Sequence, residues 1–383
     1  MSHQRKIVYL AGFVFSLPIA LMSYVNSSFI SSFVNEKLVG TIYALGSIVS
    51  VLALLLIPQI FRKMGGYKFL LWVIALDGLS ILLFAFSQNT WSVILFFVLG
   101  FALNILIYFS LDELLKISST DSRTGRTRGS YMALCSLAWI IAQLALGTFL
   151  GEFSFRIIYL VSFALMLLFF LISYVRLRNI PDPNYDKMNA KKYVGKFFKN
   201  KNLFRAYSIS FLLQFFYCWM VIYTPIYLSL HLGFSWKEIG LIFAVMLLPF
   251  SILPFPLGRY ADKIGERKML MFGFTIASLA TLSLFFIYQP VVWLWALLLL
   301  TTRIGAATIE VMSDAYFFKH IQPENEEFVG VYRSASPVAY IFGPLLAFII
   351  FSFVPSFNFI YLVLGAIMLY GVYLASTIKK SDI

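Results

Sequence analysis

The sequence predicts an all-α membrane protein with twelve transmembrane helices, built as two parallel repeats of six helices. Apolar residues make up 61% of the 383 residues and charged residues only 12%, which is about half the charged share of a soluble domain. A chain of this composition has to be solvated by lipid. One short signature also occurs twice, which indicates that the chain is a duplicated unit.

Twelve apolar segments are long enough to cross a bilayer, which takes about 20 helical residues. The first belongs to an uncharged run from Ile7 to Asn35. Because that run is much longer than the apolar core of a signal peptide, about 7–15 residues, we interpret it as the first transmembrane helix. The approximate limits of the segments are 7–30, 39–60, 68–87, 91–112, 130–151, 156–176, 204–230, 238–258, 268–288, 291–317, 329–353 and 357–377.

The duplicated signature reads Lys-Met-Gly-Gly-Tyr-Lys at 63–68 and Lys-Ile-Gly-Glu-Arg-Lys at 263–268. Two further pairs of triplets follow at nearly the same offset: 129–131 (Gly-Ser-Tyr) with 330–332 (Gly-Val-Tyr), and 138–140 (Ala-Trp-Ile) with 339–341 (Ala-Tyr-Ile). Six helices per repeat is an even number, so both repeats have the same orientation in the membrane. A duplicated bundle is typical of secondary transporters, in which the solute binds between the halves.

Basic residues lie almost entirely on one side of the predicted membrane. One set of connecting segments holds only Lys37, Arg156 and Lys237, and Arg303 lies inside an apolar segment. The set that includes the N-terminus holds the other 26 of the 30 Lys and Arg residues. This bias predicts that both termini lie in the cytoplasm and that the chain lies in the inner (cytoplasmic) membrane. The net charge of +13 therefore reflects topology, and we expect no nucleic-acid partner.

The clearest boundary lies between the sixth and seventh segments. It predicts an N-terminal bundle at 1–178, a cytoplasmic linker at 179–202 and a C-terminal bundle at 203–383. Pro181 and Pro183 end the sixth helix. Basic and aromatic residues alternate at 193–199, a pattern that suits either a short helix at an anionic membrane surface or a solvated linker. The other loops are too short to hold an enzyme domain.

No pattern of catalytic or metal-binding residues stands out. The three histidines lie far apart, and the two cysteines lie inside apolar segments. The sequence has no His-Glu-x-x-His motif and no Gly-Lys-Ser/Thr phosphate loop. We therefore expect a protein that is not an enzyme, with no cofactor and no metal.

The segment Gly258 to Lys268 resembles the G-x-x-x-D-R/K-x-G-x-R-K loop of the major facilitator superfamily, and it lies between segments 8 and 9, where that family carries it. The first-half copy departs from this pattern, with Pro58 for the first glycine and Arg62 for the aspartate. The resemblance implies a monomeric secondary transporter, a symporter or an antiporter, that binds a small organic solute and works by alternating access. Protons or another ion would be coupled to transport.

Two alternatives stay open: an exporter of hydrophobic drugs or metabolites, and a receptor that binds solute without moving it. Segment 4 lacks the arginine of drug–proton antiporters, and 142–143 (Ala-Gln) stands where they often carry Gly-Pro, which argues against the exporter. A receptor would have no need of a cytoplasmic lock, which argues against the second alternative.

Three ionisable residues lie in segment 10, and such residues inside a membrane are costly and usually functional. At 1.5 Å per residue, Arg303 lies near the midplane. Because an arginine stays charged, Arg303 either binds an anionic group of the solute or forms an internal ion pair with Asp77 or Glu310. The resemblance implies that segments 1, 4, 7 and 10 line the central cavity.

Glu310 is the candidate proton carrier, because dehydration and the neighbouring Asp314 both favour a protonated carboxyl. Its alternative role is to pair with cytoplasmic Lys and Arg residues. Asp77, in segment 3, is either a second coupling carboxyl or a buried hydrogen-bonding group. Polar and aromatic residues in segments 4 and 7 complete the candidate solute site: Asn104, Tyr108, Gln214 and Tyr217.

Charged residues at the cytoplasmic ends of the helices form two candidate gate clusters, or else only anchor the topology. Asp262, Arg267 and Asp314 would dock against the start of segment 5. Their counterparts in the first half would dock near Arg333. These counterparts are Arg62, Lys63, Asp112 and Glu113.

Overall fold

The computed structural model describes residues 3–117, 124–152, 154–178, 190–254, 256–257, 264–321 and 327–378. This part of the chain is almost entirely helical and contains no β-strand, which confirms the predicted all-α class. It divides into two compact units, Met1–Lys187 with Ser235–Ala244, and Met188–Phe234 with Val245–Ile383.

The helices follow the predicted segments closely. The first seven are α1 (His3–Ser23), α2 (Asn26–Ser31), α3 (Glu36–Met64), α4 (Gly66–Ala85), α5 (Thr90–Ile117), α6 (Thr124–Glu152) and α7 (Phe155–Arg176). The others are α8 (Ala190–Lys199), α9 (Lys201–Ile226), α10 (Trp236–Ile252), α11 (Glu266–Phe285), α12 (Val292–His320), α13 (Glu327–Arg333), α14 (Ala335–Phe351) and α15 (Phe359–Ser376). A π-helical turn at Tyr227–His231 extends α9.

Among the described residues, 11 helices are long and apolar enough to cross a membrane. The remaining predicted segment, 238–258, corresponds to α10, which has 17 residues and contains Pro249. The chain is thus a multi-pass membrane protein, and each of the twelve predicted segments has its helix.

The first predicted segment is interrupted, which the sequence did not indicate. It forms α1 and α2, separated by Tyr24 and Val25. The Gln143 amide donates a hydrogen bond to the Ala20 carbonyl near the end of α1 (2.7 Å). The Tyr159 hydroxyl donates to the Asn26 side chain at the start of α2 (3.0 Å). The first bond pairs a backbone carbonyl near the end of α1, where such groups need other partners, and the second ties the start of α2 to α7.

The duplicated signature has the same backbone conformation in both copies. Gly65 precedes α4 with φ 78° and ψ 153°, and Gly265 precedes α11 with φ 83° and ψ 147°. This region of backbone space is accessible almost only to glycine. The second pair of repeated triplets agrees, since Ala138 and Ala339 are both completely buried. The repeated glycines are therefore required by the turns that lead into α4 and α11, the third membrane helix of each repeat.

Equivalent pairs of neighbouring helices are held together by different contacts in the two units. In the second unit, α11 and α12 approach through glycines, and a Cβ on Gly305 would lie 2.5 Å from the Gly273 carbonyl oxygen. In the first unit, α4 and α5 are joined by Asp77 and Asn104. Equivalent helix pairs are thus held by a polar side-chain pair in the first unit and by close glycine packing in the second.

Candidate functional site

A buried arginine is the main feature of the second unit. Arg303, on α12, is 1% exposed. Its guanidinium carbon lies 5.2 Å from the centre of the Phe216 ring and 5.3 Å from that of Tyr217, both on α9. Such cation–π contacts stabilise a buried cation by about 0.5–2 kcal/mol, much less than its desolvation costs.

The Arg303 guanidinium also has unpaired hydrogen-bond donors. Its Nε and Nη2 atoms are buried and have no hydrogen-bond partner. Within the described part of the second unit, Arg303 forms no ion pair with Glu310. A buried charge with unpaired donors is costly unless a ligand completes it. Chemically, the site matches a carboxylate, a phosphate or a similar anion.

Tyr217 connects this arginine with the candidate proton carrier. Its hydroxyl donates a hydrogen bond of 2.9 Å to Oε2 of Glu310, while its ring lies against Arg303. Glu310 follows Arg303 by two turns on nearly the same face of α12. The structure thus brings together three residues that the sequence singled out separately, Arg303, Tyr217 and Glu310. Phe216 was missed, because aromatic residues occur throughout this chain and give no local signal.

A second group of polar side chains lies near the end of α12. The Arg333 guanidinium forms an ion pair with Asp314 (3.2 Å). The Tyr332 hydroxyl donates to the other Asp314 oxygen (3.0 Å) and is hydrogen-bonded to Ser313 (2.8 Å). The Tyr332 ring stacks on Phe317 at 4.0 Å. The sequence assigned Asp314 and Arg333 to different clusters, whereas the structure pairs them within the second unit.

Asp77 and Asn104 form a separate polar pair in the first unit. Asp77 is completely buried, and its Oδ1 accepts a hydrogen bond of 3.4 Å from the Asn104 amide. That amide also donates to the Gly100 carbonyl (2.7 Å). Asp77 Oδ2 and Asn104 Oδ1 have no partner in the described part of the chain. Asn104, predicted to bind solute, thus uses its amide to join α4 and α5.

The remaining predicted solute and gate residues lie on other parts of the helices. Tyr108 packs edge-on against Phe15 at 4.9 Å, and Gln214 is half-buried on α9. Of the gate residues, Asp262 and the side chain of Arg62 lie outside the described part. The others lie near helix ends: Lys63 and Asp112 are exposed, and Glu113 and Arg267 are half-buried. Docking between the two clusters stays a prediction.

One ion pair of a buried carboxylate with a partly exposed lysine was missed by sequence reasoning. Glu266, the first residue of α11, is 1% exposed and forms a salt bridge with Lys319 near the end of α12. Its position inside the duplicated signature, where the first copy has Gly66, was the available signal. The pair holds the ends of α11 and α12 together in the second unit.

Comparisons with known proteins agree with this architecture. The sequence model described as Major Facilitator Superfamily matches residues 7–246 and 208–381. No curated protein sequence matches the chain.

Solved structures show the same fold at low sequence identity. A mutant of the nucleoside transporter NupG has a TM-score of 0.77 at 12% identity, covering 97% of this chain and 99% of its own. An auto-inhibited POT family peptide transporter has a TM-score of 0.77 at 9% identity, covering 98% and 97%. A bacterial homologue of the human lysosomal transporter Spinster, inward-facing and unoccupied, has a TM-score of 0.70 at 12% identity, covering 98% of each chain. These likenesses concern the fold.

Proposed function

This chain belongs to the Major Facilitator Superfamily, and from that premise we propose that it moves a small organic solute with an anionic group by alternating access, coupled to protons. Family membership supports a membrane transporter rather than an enzyme. The charge bias of its loops supports the inner membrane as its location, with both termini in the cytoplasm.

The observation that carries the proposal is the state of Arg303. Its guanidinium is buried between two aromatic rings and has two unpaired donor atoms. A purely structural arginine would be expected to pair with a carboxylate, because burying one charge alone costs several kcal/mol. An anionic group of the solute would supply the missing partner, and the flanking rings would contact its apolar part.

Glu310 is the proposed proton carrier because it is linked to Arg303 through a single side chain. Tyr217 contacts Arg303 with its ring and Glu310 with its hydroxyl. An anion that draws Arg303 away from the ring would also disturb the hydrogen bond to Glu310. Solute binding and proton exchange would then be coupled within the second unit. For Asp77 we propose the hydrogen-bonding role, since Asn104 already holds it.

Proteoliposomes with an internal pH dye test the proposal directly. The panel of solutes comprises carboxylates, organic phosphates, nucleosides, peptides, sugars and lipophilic cations. We expect one anionic class to drive proton flux in the wild type and not in Arg303→Met. Arg156→Met is the matched control, because Arg156 also lies over an aromatic ring, Phe86, at 5.1 Å, but is exposed.

The outcomes separate the alternatives. Flux driven by lipophilic cations alone would favour the exporter of hydrophobic compounds. Solute binding to the purified protein without flux or counterflow in the vesicles would favour the receptor. Flux with an anionic solute that persists in Arg303→Met would remove Arg303 from the proposal.

A further inference from the structure

The short helix α8 lies at the boundary of the membrane. It ends at Lys199, and α9 begins at Lys201, the first residue of a membrane span that runs to His231. The Asn200 side chain between them accepts hydrogen bonds from the backbone N–H groups of Asn202 and Leu203 and so caps α9. One residue between the two helices leaves α8 no room to move away from the level at which α9 enters the bilayer.

One face of α8 is fixed to the second unit by an aromatic side chain. Phe197 is completely buried and packs against Phe328 of α13 (5.6 Å), Tyr207 of α9 (6.1 Å) and Phe317 of α12 (6.3 Å). These contacts set the rotation of α8 about its own axis. Residues 194–199 are therefore part of a helix that is docked on the second unit through Phe197.

The outer edge of α8 is apolar and continues onto the membrane helix. Phe198 is 39% exposed and Val194 41%. The Phe198 ring contacts Phe204 (6.2 Å) and Tyr207 (5.1 Å), both on α9. Phe204 lies in the first turn of α9 and is itself 50% exposed. Tyrosine rings near the end of a membrane helix occupy the headgroup region, so the Phe198–Tyr207 contact places the apolar edge of α8 at that depth.

Positive charge surrounds this edge. Lys196, Lys199 and Lys201 are exposed, and none of the three forms an ion pair within the described residues. Short helices with an inserted apolar edge and flanking lysines bind anionic membrane surfaces. The attraction reaches about one Debye length, roughly 8–10 Å, which is enough to span this short helix.

We infer that α8 is a binding site for anionic phospholipid. Lys196, Lys199 and Lys201 contact the headgroups, and Val194 and Phe198 enter the boundary between headgroups and acyl chains. The buried face of α8 is also in contact with the second group of polar side chains. Phe197 packs against Phe317, Phe317 stacks on Tyr332, and the Tyr332 hydroxyl is hydrogen-bonded to Asp314.

Quenching of a fluorophore by labelled lipids tests this inference on the full chain in nanodiscs. Gly195 is an exposed position of α8 where an added Cβ meets no atom within 4 Å. A Gly195→Cys variant, with Cys135 and Cys218 changed to Ala, carries the fluorophore. Phosphatidylglycerol or phosphatidylcholine with a nitroxide near the headgroup is then added at equal low mole fractions to phosphatidylcholine nanodiscs.

We expect stronger quenching by the phosphatidylglycerol probe. Lys196→Gln with Lys199→Gln lowers that preference by about fivefold per lysine, and Phe198→Ser lowers quenching by both probes. The matched control is Lys68→Gln with Lys268→Gln, exposed lysines at equivalent positions of the two repeats, which leaves the quenching unchanged. Equal quenching by the two lipids, no quenching by either, or an equal loss in the control would each overturn the inference.

Discussion

The hydroxyl of Tyr217 donates a 2.9 Å hydrogen bond to the Glu310 carboxylate, while the ring of the same tyrosine lies 5.3 Å from the Arg303 guanidinium. One side chain therefore touches both a buried cation and a half-buried acid. The two contacts are of different kinds, since the ring face attracts the cation and the hydroxyl binds the carboxylate. Substitutions can remove one and keep the other.

Glu310→Gln should separate solute movement from proton movement. The amide keeps the size of the side chain and a hydrogen-bond acceptor for Tyr217 but cannot exchange a proton. We expect solute counterflow, which needs no net proton transfer, to persist in proteoliposomes while solute-driven proton flux disappears. Counterflow also serves as the control for folding. Proton flux that continues in this variant would rule out Glu310 as the carrier.

Tyr217→Phe should weaken the coupling while preserving solute affinity. The ring and its contact with Arg303 remain, whereas the variant loses a hydrogen bond to a charged group, about 1.5–3 kcal/mol. Equilibrium binding of the solute identified in the flux screen and its proton flux are measured on the same preparation. We expect affinity near that of the wild type and a reduced ratio of protons to solute. Affinity lost together with flux would show that the hydroxyl binds the solute instead.

Arg303→Met should abolish binding of an anionic solute without destabilising the protein. Methionine fills a similar volume between the two rings and introduces no unpaired donor. Loss of a charge-assisted hydrogen bond, about 1.5–3 kcal/mol, predicts affinity about ten- to a hundredfold lower. The thermal unfolding temperature of the variant in detergent should be at least as high as that of the wild type, because an incompletely paired buried charge is removed. A marked loss of stability with affinity intact would indicate a structural arginine.

Asp77→Asn should leave both stability and coupled flux close to wild type. Asparagine can still accept the hydrogen bond from Asn104, and the described residues contain no cationic partner that would be left unpaired. Asp77→Leu, which removes that acceptor, should be less stable by about 1–3 kcal/mol. Loss of proton flux in a well-folded Asp77→Asn protein would make Asp77 a coupling residue after all.

Sequence reasoning was most accurate where a local rule applies. The length of each apolar run located the membrane helices, and the repeated Lys-x-Gly signature located Gly65 and Gly265. The 3.6-residue period of the α-helix placed Arg303 and Glu310, seven residues apart, on nearly one face of α12. The sequence could not predict which face of each helix contacts its neighbours, because a helix that is apolar on every side has little hydrophobic periodicity. Hence the Phe216–Arg303 and Asp314–Arg333 contacts emerged only from the structure.

The interruption between α1 and α2 illustrates the same limit on a larger scale. Tyr24 and Val25 carry no strong helix-breaking signal, and Pro18 lies earlier, within α1. The helices on either side of it are hydrogen-bonded to Gln143 and Tyr159, which are distant in sequence. Residues 142–143 are Ala-Gln, where drug–proton antiporters often carry Gly-Pro. The second of them, Gln143, is the residue that is hydrogen-bonded to α1.

Gly65→Ala and Gly265→Ala should each destabilise their own unit by about 1–3 kcal/mol, because a Cβ is strained at φ near 80° with ψ near 150°. Gly330→Ala is the matched control, since Gly330 lies in α13 without a positive φ and an added Cβ there meets no atom within 4 Å. That change should be neutral or stabilising by up to about 1 kcal/mol. Urea unfolding in mild detergent measures all three variants. Because the glycines are equivalent in the duplicated scaffold, we expect similar losses for both; a loss for only one would mean that the turns before α4 and α11 are not equally strained.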